Sequence, residues 1–329
     1  MRHKNIMLSL FAVMAVLTLF FTPLGGMTYM PPGAWWGDMP ASEVAIFWQM
    51  RVPRILTAFI AGAGLALSGM AFQAMFRNPL ATPFTLGVSS GASLGVAIYI
   101  RAGLAISIIG INGSSIAAFL GALLALSAVY GLTRIKGGFA SATLLLAGVA
   151  VSFCASSLIL FMQYLADLQN SFEIVRWLMG SLNVTGYRPV LNILPFIVIG
   201  SLILLFLSHE LNLLMTGEDL AASRGANVSR VKKLIFVAAS LMVGGVVAFC
   251  GPIGFIGMIV PHICRLLIGS NHRYLMPATF LAGGSFLALC DMLSRSIVTE
   301  AEMPVGIITA LLGGPFFICL LVRSKTLHL

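Results

Sequence analysis

Long apolar runs, separated by glycine, proline and isolated charges, fill the chain from end to end. A helix needs about 20 apolar residues to cross a bilayer. On that measure spans are expected near 6–24, 55–75, 84–100, 114–133, 141–165, 189–207, 232–250, 254–269, 275–295 and 304–323. The pattern predicts an all-α polytopic membrane protein with about ten transmembrane helices in a single domain over 1–329. The eighth run is the weakest, because Gly251-Pro252 and Pro261 interrupt it and a short break is expected there. One stretch stands apart. Residues 214–233 hold two acids, Glu218 and Asp219, and four bases, Arg224, Arg230, Lys232 and Lys233. A polar island this short between spans predicts a compact, water-exposed loop over 214–230 with one or two helical turns, suited to contact with another protein.

Within the runs, Gly87, Gly91 and Gly95 recur every four residues, which bares one face of the third span for close approach by a neighbour. Gly62, Ala66, Ser68 and Gly69 do the same for the second. Outside the spans, 25–53 carries Trp35, Trp36 and Trp48, which suit an interfacial aromatic belt. Phe172 to Leu178 reads as a short amphipathic helix, and 296–303 carries Glu300 and Glu302. The basic start Arg2-His3-Lys4 resembles a signal peptide, but its apolar run is long and no Ala-x-Ala site follows. It is read as a retained first span.

Composition agrees with this pattern: 59% of residues are hydrophobic and 9% charged, with a mean hydropathy of +1.02. The formal net charge of +9 raises the question of nucleic acid. Its bases lie singly at the ends of apolar runs, which fits membrane orientation and not a phosphate-binding face. With the amino terminus in the cytoplasm, 13 Lys and Arg fall inside against 6 outside, and all five lysines are inside. Both termini and the polar island are then cytoplasmic. The island splits the chain into spans two to five and seven to ten, which would run in opposite orientation as inverted halves.

Catalytic motifs are missing. No lysine follows a glycine, so the nucleotide-binding loop Gly-x-x-x-x-Gly-Lys is absent, as are His-Glu-x-x-His and Gly-x-Ser-x-Gly. The five cysteines sit in apolar runs without Cys-x-x-Cys and read as small hydrophobes, and neither a metal site nor a catalytic site is expected. Asp291 is the one acid deep in an apolar run, with Arg295 one turn on; a structural ion pair and a proton relay are the two readings. Pro261 frees a backbone carbonyl that the His262 imidazole is placed to satisfy. Arg51 and Arg54, separated by Val52-Pro53, read as interfacial arginines or, with Arg295, as a basic docking patch.

The run Arg51-Val52-Pro53-Arg54, Gly62-Ala63-Gly64-Leu65, Arg77-Asn78-Pro79-Leu80 and Leu86-Gly87 resembles the permease subunit of iron–siderophore, haem and cobalamin ABC importers. Trp177-Leu178-Met179-Gly180-Ser181, Gly217-Glu218 with Ala221 and Gly225, and Gly251-Pro252-Ile253-Gly254 continue the likeness. Pro261-His262 with Arg265, Asp291 with Arg295, and Glu302-Met303-Pro304-Val305-Gly306 complete it, in order from about residue 44.

The resemblance implies a type II ABC importer permease fold with no catalytic site of its own. It implies a second permease copy, two cytoplasmic ATPase subunits that carry ATP and Mg, and a periplasmic or lipid-anchored substrate-binding protein above. Membrane lipid is the remaining partner, and the place is the bacterial cytoplasmic (inner) membrane. Gly217, Glu218, Ala221, Arg224 and Gly225 would form a coupling helix seated in the ATPase, with Glu218 and Arg224 pairing across that interface. Arg51, Arg54 and Arg295 would meet acidic residues of the binding protein. Ser141 and Ala142 would stand near an inner gate, while Asn78, Pro79, Pro261, His262 and Asp291 are structural. The alternative is an ion-coupled secondary transporter in which Asp291 titrates; a membrane-embedded enzyme has little to work with.

Overall fold

The computed structural model describes residues 2–323 except 27, 109, 137–139 and 298–301. A backbone in lipid has no water to bond to, so its polar groups must be satisfied within helices. The helices are α1 (Arg2–Phe21), α2 (Ala41–Ile46), α3 (Val52–Phe76), α4 (Val88–Arg101), α5 (Gly113–Ile135), α6 (Ser141–Leu165) and α7 (Leu168–Leu178). They continue with α8 (Arg188–Phe206), α9 (Ser208–Thr216), α10 (Glu218–Ser223), α11 (Val228–Cys250), α12 (Ile256–Ile268), α13 (His272–Ile297) and α14 (Val305–Arg323). Strands β1 (Ser107–Ile108) and β2 (Ile111–Asn112) make a small antiparallel hairpin between α4 and α5. Ten helices, α1, α3 to α6, α8 and α11 to α14, fall on the ten apolar runs. Among the described residues, seven helical stretches are long and apolar enough to cross a membrane by length and composition.

The bundle is built around α3. Only Leu56 and Ile60 of its 25 residues escape burial, because its small side chains admit neighbours on several sides. A methyl group at Gly62 would run into the Gly283 carbonyl of α13, and one at Gly69 into the Gly257 carbonyl of α12. Helices α8 and α11 complete its surroundings, and Ile197 of α8 fills the space over Gly64. The small-residue face of the third span is real but shorter than its spacing suggests. Gly91 and Gly95 meet Gly121 and Ala117 of α5, whereas Gly87 has φ +78° and starts α4 from a left-handed conformation beside α6.

The break in the eighth run comes earlier than Pro261. Gly251 (φ +67°) ends α11, and Pro252 to Phe255 bridge to α12, with Phe255 itself at φ +69°. Helix α12 then runs through Pro261. A proline there leaves the carbonyl four residues back without its N–H partner. The His262 imidazole does not fill that role: it lies edge-on to Phe316 of α14, ring centroids 6.0 Å apart. Gln73 of α3 does so instead, its Nε2 lying 3.3 Å from both the Gly257 and Met258 carbonyls.

Outside the spans, a π-helical turn at Phe47–Arg51 joins α2 to α3 and widens the helix where Arg51 must be aimed. Trp35 stacks on Phe20 at 5.4 Å and meets Phe47 and Trp48 edge-on, so the aromatic segment folds back onto the end of α1. The amphipathic helix foreseen near 172–178 is α7, its start capped by Asp167, which accepts from Asn170 N–H at 2.7 Å.

Candidate functional site

Two polar clusters lie at opposite ends of the bundle. The first is the island. Helix α9 stops at Gly217, whose φ of +122° suits glycine, and α10 follows at once. Asn227 then caps α11 by accepting from Arg230 N–H at 3.0 Å. Acids lead α10 and none follow, which matches its dipole.

The island is fixed by a side chain that sequence reasoning overlooked. Lys232 on the first turns of α11 is 1% exposed, and its Nζ lies 2.5 Å from Glu218 Oε1 and 3.2 Å from Ser141 Oγ. Ser141 in turn is 3.4 Å from the same carboxylate oxygen. One lysine therefore joins α10, α11 and the first residue of α6. A lysine at the start of a span reads as a snorkelling charge, and only its four-residue offset from Val228, on the inward face, hinted otherwise.

The resemblance assigns Ala221 and Glu218 to an outside partner; the fold buries Ala221 and leaves Glu218 partly exposed. Ala221 is fully buried, because the inner face of α10 packs on the core. Glu218 already has partners within the chain. The exposed face of the island is Asp219, Leu220, Ala222, Ser223, Arg224 and Gly225, with Leu220 the one large apolar side chain. Ala142 is exposed beside Ser141. Arg77 reaches Gly217, where an added methyl group would meet its guanidinium at 3.6 Å. Arg77 also ends α3 from a left-handed conformation (φ +49°), a costly one for a residue with a Cβ. Asn78 steadies that turn: its N–H reaches the Gln73 carbonyl at 3.2 Å and its Oδ1 accepts from Leu80 N–H at 2.9 Å. Pro79 follows within it.

The second cluster lies at the other end. Asp291 is fully buried, with Arg54 Nε 3.0 Å from Oδ1 and Arg295 Nε 3.0 Å from Oδ2. Arg54 Nη1 also pairs with Glu302 at 2.9 Å. Arg295 continues to the Gly25 carbonyl at 2.9 Å and the Thr22 carbonyl at 3.3 Å, beyond the end of α1. Arg51 binds that same loop, donating to the Pro23 carbonyl at 3.1 Å and to the Thr28 carbonyl at 2.7 Å. The ion-pair reading of Asp291 is the one the fold adopts, since both its oxygens are taken by guanidinium N–H groups. An exposed patch of three arginines is not what the sequence builds: Arg54 is 8% and Arg295 5% exposed, because they neutralise Asp291, and Arg51 is half-buried.

Near this end the turn after α7 meets the end of α11 and the start of α14. Ser181 N–H donates to the Cys250 carbonyl at 2.8 Å, and Gly306 N–H reaches the Gly180 carbonyl at 3.4 Å. A side chain at Gly180 or Gly306 would collide with the backbone of Pro252 or Met179. Among the described residues no group of three His, Cys, Asp or Glu side chains is placed to hold a metal ion.

The model of the FecCD transport family matches residues 8–323. The chain is 41% identical over 287 residues to the cobalamin import system permease protein BtuC of Halobacterium salinarum, covering 86% of this chain and 75% of that one. It is 39% identical over 289 residues to the molybdate import system permease protein MolB of Haemophilus influenzae, covering 87% and 83%. A solved structure of an ABC transporter described as of the metal-chelate type, in an inward-facing conformation, superposes with a TM-score of 0.85 at 34% identity. That superposition covers 97% of this chain and 99% of that one.

Proposed function

Because the chain belongs to the FecCD transport family, we propose that it is the transmembrane permease subunit of an ATP-driven importer for a bulky metal chelate, a ferric siderophore, haem or cobalamin. Its place is the bacterial cytoplasmic membrane, with both termini and the island on the cytoplasmic side. A separate ATPase dimer binds ATP and Mg and seats the exposed face of α10, around Leu220, Ala222 and Arg224. A second copy of the permease completes the pathway. A periplasmic or lipid-anchored binding protein delivers the cargo at the arginine end, where Arg51 and Glu302 lie nearest the surface and Arg54 and Arg295 set the charge beneath.

One observation carries this reading: Lys232 joins the island to the start of α6 through Glu218 and Ser141. When the ATPase dimer closes and displaces α10, the Glu218–Lys232 pair passes that displacement to Ser141 and Ala142 at the inner mouth. No catalytic step occurs in this chain; it converts motion at one end into opening at the other. The ion-coupled alternative needs a carboxylate free to gain and lose a proton, and Asp291 is held by two guanidinium groups instead.

Reconstitution tests it. Proteoliposomes holding the permease, its ATPase and a loaded binding protein should accumulate cargo with ATP inside and no ion gradient. Uptake that follows a proton or sodium gradient while ATP hydrolysis is blocked would favour the secondary transporter.

A further inference from the structure

Between α4 and α6 lies a cleft of about 470 Å³ that none of the assigned residues lines. Ser89, Ser90 and Ser93 face it from α4, and Ser152, Ser156 and Gln163 from α6. The residues at 89 and 93, and those at 152, 156 and 163, repeat at spacings that return to one helix face. The rest of the lining is apolar, and none of its residues is charged. Leu178 and Pro252 close one end and also line the neighbouring cavity of about 390 Å³ beside the start of α14.

Unpaired hydroxyls are concentrated here, although Ser240 and Thr279 elsewhere in the bundle also lack a hydrogen-bond partner. A helical serine or threonine in an apolar setting ordinarily bonds the carbonyl one turn back. Thr57, Ser68 and Ser285 do so, at 2.8, 2.7 and 2.8 Å. In the cleft only Ser90 does the equivalent, donating to the Gly87 carbonyl at 3.2 Å. Ser89 and Ser93, 6% and 4% exposed, line the cleft and make no side-chain hydrogen bond among the described residues. Ser152 Oγ is buried and likewise without a partner. Buried polar groups are normally paired, so unpaired ones facing a cavity await something that enters it.

We propose that this cleft is a cargo-contact subsite that takes an oxygen-rich, hydrogen-bond-accepting surface. The inference rests on the transport reading above and names the chemistry of the cargo. Neutral hydroxyls and an amide bind such a surface without a fixed charge, so the contact is weak enough to release, as a transport pathway requires. Hydroxamate, carboxylate or amide oxygens on the shell of a chelate fit it, and so do the oxygens of a free oxyanion.

The test uses proteoliposomes with the full permease, its ATPase and its binding protein, each variant first shown to co-elute with the ATPase. The probes are iron-55 ferrichrome, haemin, cobalt-57 cyanocobalamin and molybdenum-99 molybdate. The parent should take up at least one. The Ser89→Ala, Ser93→Ala, Ser152→Ala and Ser156→Ala combination should lower its initial rate about tenfold. A matched pair of equal added volume separates shape from chemistry: Ser152→Thr with Ser156→Thr keeps the hydroxyls, and Ser152→Val with Ser156→Val removes them. The threonine pair should transport several-fold faster than the valine pair. Equal rates in the two pairs would overturn the subsite while leaving the importer reading intact. Uptake of molybdate alone would keep the subsite and overturn the bulky chelate; uptake of none of the probes would overturn both.

Discussion

At one end of the bundle, Arg51, Arg54, Asp291, Arg295 and Glu302 tie together the loop after α1, the start of α3, the end of α13 and the approach to α14. At the other, the Glu218–Lys232 ion pair and the Ser141 hydroxyl link the island to α6 and α11. Both use buried charge, yet they differ in redundancy. Three guanidinium groups share two carboxylates and several backbone carbonyls, so no single contact there can shift alone. Glu218, by contrast, is 39% exposed in its side chain and has Lys232 as its sole ion-pair partner among the described residues. The first arrangement suits a fixed frame, the second a joint that moves. Ion pairs can therefore have opposite mechanical roles, decided by how many neighbours share them.

That contrast can be broken from either side. The largest effect is expected at the frame: Asp291→Ala leaves Arg295 buried without its ion-pair partner and Arg54 with Glu302 alone, and should destabilise the permease by about 3–5 kcal/mol. Thermal unfolding in detergent reads this directly, and a change under about 1 kcal/mol would mean that the cluster is not structural. Next comes Gln73→Leu, which strips the donor from the Gly257 and Met258 carbonyls. About 1–3 kcal/mol should be lost, with faster hydrogen exchange confined to α12. Lys232→Met keeps the bulk of the stem and removes the joint; uptake should fall by far more than unfolding temperature does. Smallest is Arg224→Ala, at an exposed site, where stability should stay within about 0.5 kcal/mol while affinity for the ATPase drops.

Much of the frame was legible in the sequence because hydropathy alone places spans. The fifth run, 141–165, coincides with α6 residue for residue. The charge count expects Lys4 and Arg273 at one end of the bundle, and Lys4 lies over the ring of the neighbouring Tyr274 at 5.4 Å. What could not be read was partnership across long sequence separations. Gln73 and Gly257 are 184 positions apart, and no local pattern announces that a glutamine in one span will satisfy a carbonyl freed by proline in another. The local candidate, His262, was the wrong one for that reason. Burial of Arg54 and Arg295 was hidden likewise, because an arginine at a span's edge looks the same in sequence whether it snorkels to water or turns to an acid. Serines in α4 and α6 carried a signal in their spacing, but small residues at helical period are ordinary packing until a cavity is seen beside them.

The central claim is that the island drives α6 through the Glu218–Lys232 pair. A charge exchange tests it most directly, in ATP-driven uptake by proteoliposomes. Glu218→Lys alone and Lys232→Glu alone should each abolish most uptake, and the double exchange should restore a substantial part of it. Single variants that transport at the parent's rate, or a double variant no better than either, would contradict the account.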